Sequence, residues 1–228
     1  MQSCKKDEFV FGIKRALPIV MGYMPVGFAL GVMAADAGLN PLQMGLMSLF
    51  VYAGSAQFIA VDMLGSGISA IPIIATTLLV NLRHFLFSAS LAPYFREIKQ
   101  RFIPFISFFI TDESFAVSIT DAKQRPFSHI YFFSLYITSY SAWVLSTIMG
   151  SALGNLITNT KALGFDFALP GMFLALLCMQ LNNFKFVLIA LISGFLSILF
   201  LYTIPGNWNV ILATILAAMI GVFIGDEN

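Results

Sequence analysis

Long apolar runs separated by short polar turns repeat from one end of this chain to the other. The runs cover residues 16–35, 42–64, 70–91, 102–120, 130–154, 167–182, 184–202 and 210–225. Crossing about 30 Å of hydrocarbon takes about 20 apolar residues in a helix, and most of these runs meet that length. Turn signals such as Asp36-Ala-Gly38-Leu-Asn40-Pro41, Gly65-Ser66-Gly67 and Pro205-Gly206-Asn207 punctuate them. The pattern predicts an all-α, polytopic integral membrane protein with about 7–8 hydrophobic segments, some broken or re-entrant.

Four of the runs depart from plain apolar helix. The first carries Pro18, Gly22, Pro25, Gly27 and Gly31. A proline removes a backbone donor and frees carbonyls, so a break that lines a cavity and a kinked, closely packed helix are both open readings. In the second run, Ala53-Gly54-Ser55-Ala56-Gln57 places small residues and an amide at mid-span. Close helix packing and a locally unwound, ligand-facing backbone compete there. The third run ends in Asn81-Leu82-Arg83-His84. Thr77, Asn81, His84 and Ser88 share one helix face, with Arg83 about 100° from His84. An Arg at mid-membrane costs about 2.5–3.5 kcal/mol on insertion scales, so Arg83 either faces a wet, protein-lined cavity or snorkels to the interface. His84 either serves a site or makes a helix–helix hydrogen bond. In the fourth run, Asp112 and Glu113 sit between Phe108-Phe109-Ile110 and Phe115-Ala116-Val117. Two adjacent carboxyls in apolar surroundings require a cation such as Arg83, or a proton on at least one of them.

Composition sharpens this picture. Hydrophobic residues make up 59% of the 228 and charged residues only 10%, against roughly a quarter charged in soluble domains; mean hydropathy is +0.89. No room remains for a sizeable soluble domain, and a net charge of +1 implies no nucleic-acid partner. Cys4 and Cys178 lack metal-like spacing, so neither a metal nor a cofactor is expected. Lys5, Lys6, Lys14 and Arg15 make residues 1–15 a basic lead-in, expected in the cytoplasm, and the Gly- and Pro-rich run behind it reads as a working span rather than a cleaved signal. The loops at 93–101 and 121–129 are both basic; keeping both in the cytoplasm requires one neighbouring segment, with 102–120 the natural candidate, to be re-entrant.

The motifs of soluble phosphate, dinucleotide, zinc-protease and serine-hydrolase chemistry are missing. Broken helices with buried polar residues point instead to a secondary transporter. Four pieces carry a resemblance: Gly22-Tyr23-x-Pro25-x-Gly27-x-x-x-Gly31; Met47-Ser48 followed by Tyr52-Ala53-Gly54-Ser55-Ala56-Gln57-Phe58; Asn81-Leu82-Arg83-His84; and Thr111-Asp112-Glu113-x-Phe115. In this order and spacing they resemble the AzlC family of branched-chain amino acid permeases, with Leu30 departing from the Phe that many members carry.

The resemblance implies one transmembrane transporter domain over residues 1–228 in the cell membrane, not an enzyme. It also implies export of Leu, Ile, Val and also Met, with a small AzlD-type membrane subunit as partner. On that reading the substrate-binding residues are Gly22, Tyr23, Pro25, Gly27, Gly54, Ser55, Gln57, Asn81, Arg83 and His84. Asp112 and Glu113 would take the amine or a proton, and Phe28, Phe58 or Phe115 would wall the side chain. The competing readings are a non-transporting subunit that stabilises or gates a partner, and an intramembrane enzyme using His84 and a serine.

Overall fold

The computed structural model describes residues 5–96, 98–124, 128–154, 183–203 and 208–225, with 156, 164, 167, 170, 171, 173, 174, 177, 178 and 181. The described residues are helical, without a strand. The helices are α1 (Lys5–Asp36), α2 (Pro41–Phe50), α3 (Gly54–Gly65), α4 (Ala70–Leu91), α5 (Ile103–Phe108), α6 (Asp112–Ala122), α7 (His129–Gly154), α8 (Phe184–Thr203) and α9 (Trp208–Gly225). Two 3-10 turns, Ala92–Phe95 and Gln100–Phe102, lie between α4 and α5. The molecule is an all-α membrane protein. Among the described residues, four helical stretches are long and apolar enough to cross a bilayer: Lys5–Asp36, Ala70–Phe95, His129–Gly154 and Phe184–Thr203. Half of the segment expected at 167–182 lies outside the described residues, as do Cys4, Glu97 and the acidic tail after Gly225.

The chain forms two compact units, Met1–Met172 and Phe173–Asn228. In the first, α1 and α7 are the central pair, and glycine is what brings them together. A methyl group added to Gly12, Gly27 or Gly31 would land within 2.0–2.2 Å of Ser134, Ser146 or Thr147 respectively, and one on Gly150 would land 2.1 Å from the Phe28 carbonyl. Small residues allow helices in lipid to approach backbone to backbone, where dispersion replaces the hydrophobic effect that drives soluble packing. Of the two readings open for the first run, the structure takes the closely packed helix: α1 is a continuous 32-residue helix with Pro18 and Pro25 inside it. Its glycines serve the α7 contact, and no helix N-terminus opens at Gly22–Gly27.

The other two irregular runs do break. Residues 42–64 divide into α2 and α3 at Val51-Tyr52-Ala53. The Asn40–Gln43 capping box starts α2, with Pro41 in its first turn, as the loss of a proline donor is harmless there. Residues 102–120 divide into α5 and α6 at Phe109-Ile110-Thr111. Thr111 caps α6 in a reciprocal bond pair with Ser114. The two carboxyls are therefore not in mid-helix as the apolar run suggested. They occupy the first turn of α6, where the helix dipole favours anions.

In the second unit α8 and α9 pack on each other. Ala213 and Ala217 are buried, and a Cβ on Gly221 would meet Ile189 at 3.3 Å, so α9 turns a small-residue face to its neighbour.

Candidate functional site

Three stretches distant in sequence converge where α3 and α6 begin. The first is Arg83 on α4. Its Nη1 lies 2.9 Å from Asp112 Oδ2, its Nη2 donates to Ser55 Oγ at 2.6 Å, and its Nε is buried without a partner. The guanidinium is thus paired within the molecule, with Asp112 and Ser55. The side chains of Arg83 and Asp112 retain 22% and 15% exposure. Ser55 is the second residue of α3 and Asp112 the first of α6. The guanidinium thus sits beside the positive poles of two helices, with Asp112 as its balancing charge.

The second stretch is Tyr23 of α1. Its hydroxyl donates to Glu113 Oε2 at 2.7 Å and lies 2.7 Å from Thr111 Oγ1. Tyr23 also packs edge-on to Trp143 and Tyr52, with ring centroids 5.0 and 6.4 Å away. Tyr52 in turn meets Tyr140 at 5.0 Å, and its buried hydroxyl has no partner. Two carboxyls, one guanidinium and two phenols therefore gather at the α2–α3 and α5–α6 breaks. Gathering groups at such breaks satisfies the rule that irregular backbone at membrane depth must be covered by protein or line a cavity.

The third stretch is the amide cluster beneath. Gln57 is fully buried. It accepts from Trp143 Nε1 at 2.8 Å and donates to Ser48 Oγ at 3.1 Å, and Ser48 pairs with Thr147 at 2.8 Å. Every heavy polar atom of the Gln57 amide is spoken for, so it ties α2, α3 and α7 together.

Of the residues singled out from the sequence, Tyr23, Ser55, Arg83, Asp112 and Glu113 are brought together. Gly27 lies against Ser146 and Gly54 against the Trp143 ring, both in packing positions. Gly22 and Pro25 are exposed on α1, and nothing lies within 4 Å of a Cβ placed on Gly22. His84 Nδ1 stands 3.2 Å from the Asn81 carbonyl within α4, its ring edge-on to Phe87 at 5.9 Å, while Asn81 Oδ1 is buried and unpartnered. Phe58 is fully buried in the core. Phe115 is half-buried and stacked on Phe87 at 4.6 Å, next to the carboxyls, and Phe28 is half-buried on α1.

Sequence reasoning assigned no role to Tyr52 or Thr111, although the Thr-x-x-Ser spacing that makes the α6 cap is visible in it. It also passed over a second charged cluster. Arg15 holds Asp121 through two bonds, Nε to Oδ2 at 2.8 Å and Nη2 to Oδ1 at 2.6 Å, and Tyr131 donates to the same carboxylate. Asp121 is buried, and Ser128 donates to Glu8 alongside. Asp112 and Asp121 stand at the two ends of α6, so one short helix, about 14 Å between these residues, carries both ion pairs.

The chain is 35% identical to an uncharacterized membrane protein of Archaeoglobus fulgidus, over 78% of each chain. It is 30% identical to the inner membrane protein YgaZ of Escherichia coli, over 86% of this chain and 83% of that one. It is 26% identical to the branched-chain amino acid transport protein AzlC of Bacillus subtilis, over 90% of this chain and 80% of that one. No solved structure matches it. The AzlC protein family matches residues 18–157, a stretch that runs from α1 past the end of α7 and holds every residue of the Arg83, Tyr23 and Gln57 clusters. By that match, which covers more than half of its length, the chain belongs to the AzlC family.

Proposed function

We propose that this chain exports branched-chain amino acids, Leu, Ile and Val and also Met, across the cell membrane, with its N-terminus in the cytoplasm. It would act over residues 1–228 as the larger subunit of a two-component secondary transporter with a small AzlD-type partner. The observation that carries this reading is the Arg83–Asp112 pair at the start of α6, with a spare buried donor on Arg83 and a second carboxyl, Glu113, next to it. The relative from Bacillus subtilis is named for branched-chain amino acid transport, which supports that substrate class.

The chemistry is that of a zwitterion meeting its mirror image. The substrate carboxylate competes with Asp112 for Arg83, whose planar fork suits bidentate carboxylate binding. Once Asp112 turns to the substrate ammonium, the guanidinium and the positive poles of α3 and α6 face the carboxylate together. Two carboxyls against one guanidinium leave one acidic group over, Glu113, which takes up a proton on return; this is the basis for proton coupling. Phe115, stacked on Phe87, offers an apolar wall for the branched side chain. The remaining sequence-derived positions keep supporting roles: Tyr23 orients Glu113, Ser55 orients Arg83, and Gly54 and Gln57 hold the start of α3.

The test is leucine and valine counterflow in proteoliposomes holding this chain with its small partner and, separately, this chain alone. Flux that requires the partner is the expected result. Arg83→Ala is expected to abolish flux while leaving the protein folded in the membrane, and Asp112→Asn or Glu113→Gln to change its pH profile. Unchanged flux in Arg83→Ala removes Arg83 from the mechanism. No flux in any combination of folded proteins supports the non-transporting subunit instead.

A further inference from the structure

Glu113, the carboxyl left over beside the Arg83–Asp112 pair, ends a row of hydroxyl groups. Tyr23 Oη lies 2.7 Å from Glu113 Oε2 and 2.7 Å from Thr111 Oγ1. Thr111 Oγ1 lies 3.1 Å from Ser114 Oγ, which in turn lies 3.3 Å from the carbonyl oxygens of Phe109 and Thr111. Tyr23, Thr111 and Ser114 are all buried. Each of these hydroxyls therefore takes its partner from the row and not from bulk water.

A hydroxyl has one proton to give and two lone pairs that accept. With Glu113 ionised, Tyr23 gives its proton to the carboxylate, and Thr111 gives its own to either neighbour, Tyr23 or Ser114. With Glu113 protonated, the acid O–H needs an acceptor, and the Tyr23 oxygen is in place for it. Tyr23 must then turn its proton to Thr111, Thr111 must turn to Ser114, and Ser114 to a backbone carbonyl, all at the distances above. The cap of α6 is the same in both arrangements, because backbone N–H groups supply its two bonds. Ser114 N donates to Thr111 Oγ1 at 3.3 Å and Thr111 N to Ser114 Oγ at 2.8 Å. Neither oxygen ever accepts more than two bonds. An unpaired buried hydroxyl is costly, and this row leaves none in either state of Glu113.

The other charged and titratable groups nearby come from four elements. Asp112 adjoins Glu113 on α6 and is paired with Arg83 of α4. His84 faces Glu113 from α4, with its Nδ1 beside the Asn81 carbonyl. Tyr52 faces Tyr23 and Thr111 from the α2–α3 break but bonds neither, and Tyr140 of α7, behind it, donates to the Leu49 carbonyl. On the reading of Glu113 as the proton carrier, we propose that Thr111 is a positioning residue for that proton. It receives the Tyr23 hydroxyl when the carboxyl is protonated and hands the bond on to Ser114, so the carboxyl titrates without a change in packing. No covalent bond forms or breaks along the row: each O–H turns about its own C–O bond, and the added proton stays on Glu113.

The experiment is an infrared pH titration of the full chain in lipid vesicles, following the carboxylic C=O band that Glu113→Gln removes. Thr111→Val and Ser114→Ala each strand a hydroxyl proton only when Glu113 is protonated. Both are expected to move the midpoint down by about one pH unit, the worth of one hydrogen bond. Thr111→Ser keeps the hydroxyl and is expected to titrate as wild type, as is Thr120→Val, an exposed position further along α6. Tyr23→Phe removes the donor to the ionised carboxylate, the stronger, charge-assisted bond, and is expected to move the midpoint up. Opposite signs separate this from loosened packing, which would admit water and shift all three variants the same way. One direction for all three, wild-type midpoints in Thr111→Val and Ser114→Ala, or no band lost in Glu113→Gln overturns the proposal. Should Thr111→Val fail to fold, Ser114→Ala, which leaves Thr111 its capping oxygen, decides alone. The titration needs no flux, so opposite shifts in a chain without counterflow would uphold the proton site and reject the transport reading.

Discussion

Gly31→Ala is the sharpest probe of how this molecule is held together. The added methyl would stand 2.2 Å from the Thr147 carbonyl oxygen, 2.5 Å from the Ser151 nitrogen and 2.8 Å from Gly150 Cα. All three are backbone atoms of α7, so no side-chain rotation relieves the overlap. The closest contact is more than 1 Å short of the 3.4 Å at which ordinary van der Waals contact begins, and α1 and α7 must separate by about that much. Overpacking of a well-filled interior costs about 1–3 kcal/mol; with backbone on both sides, the expected loss is about 3 kcal/mol. The shift would also reach the site, because Thr147 bonds Ser48 and Ser146 donates to the Tyr23 carbonyl. Gly22→Ala supplies the control on the same helix. Nothing lies within 4 Å of its Cβ position, and removing a mid-helix glycine gains about 0.5–1 kcal/mol. Two identical substitutions are thus expected to differ by about 4 kcal/mol. Gly27→Ala falls between them, since its nearest obstacle is the Ser146 hydroxyl. Graded unfolding in mixed detergent micelles, followed by near-UV circular dichroism, reads the order. A Gly31→Ala midpoint equal to that of Gly22→Ala would refute the backbone-contact account of the α1–α7 pair.

Arg15→Ala leaves Asp121 buried with Tyr131 alone; Arg15 is 39% exposed, so water repays part of the loss and the expected destabilisation is about 2 kcal/mol, below the 3–5 of a fully buried pair. Adding Asp121→Asn to it is expected to recover stability in the same unfolding assay, and a further loss would contradict the unpaired-charge explanation. Gln57→Leu strands the Trp143 indole N–H and is expected to cost about 1–3 kcal/mol, with a shift in Trp143 emission; an unchanged midpoint would mean that water replaces the amide. Arg83→Lys keeps the charge but not the fork that spans Asp112 and Ser55, so counterflow is expected to fall about tenfold or more, and wild-type flux would show that a point charge suffices.

Membrane placement, helical class and the polar residues worth watching were legible in the sequence, because each depends on composition or on neighbours within a turn or two. The α2–α3 break was foreseeable from Ala53-Gly54-Ser55, and the start of α6 from Thr111 and Ser114. The glycines of α1 were ambiguous for a physical reason: the same residue loosens a lone helix and tightens a helix pair. Only the presence of α7 against Gly27 and Gly31 decides between the two.

Arg83 likewise carried two readings until Asp112 and Ser55 stood beside it, and Gln57 resembled a ligand contact until Trp143 and Ser48 took up its amide. Arg15 and Asp121, 106 positions apart, gave no local sign of pairing. What the sequence determined alone was the cost of each group in hydrocarbon, which follows from the side chain itself. Which partner meets that cost is a matter of distance between helices, and that exists only once α1, α4, α6 and α7 have packed.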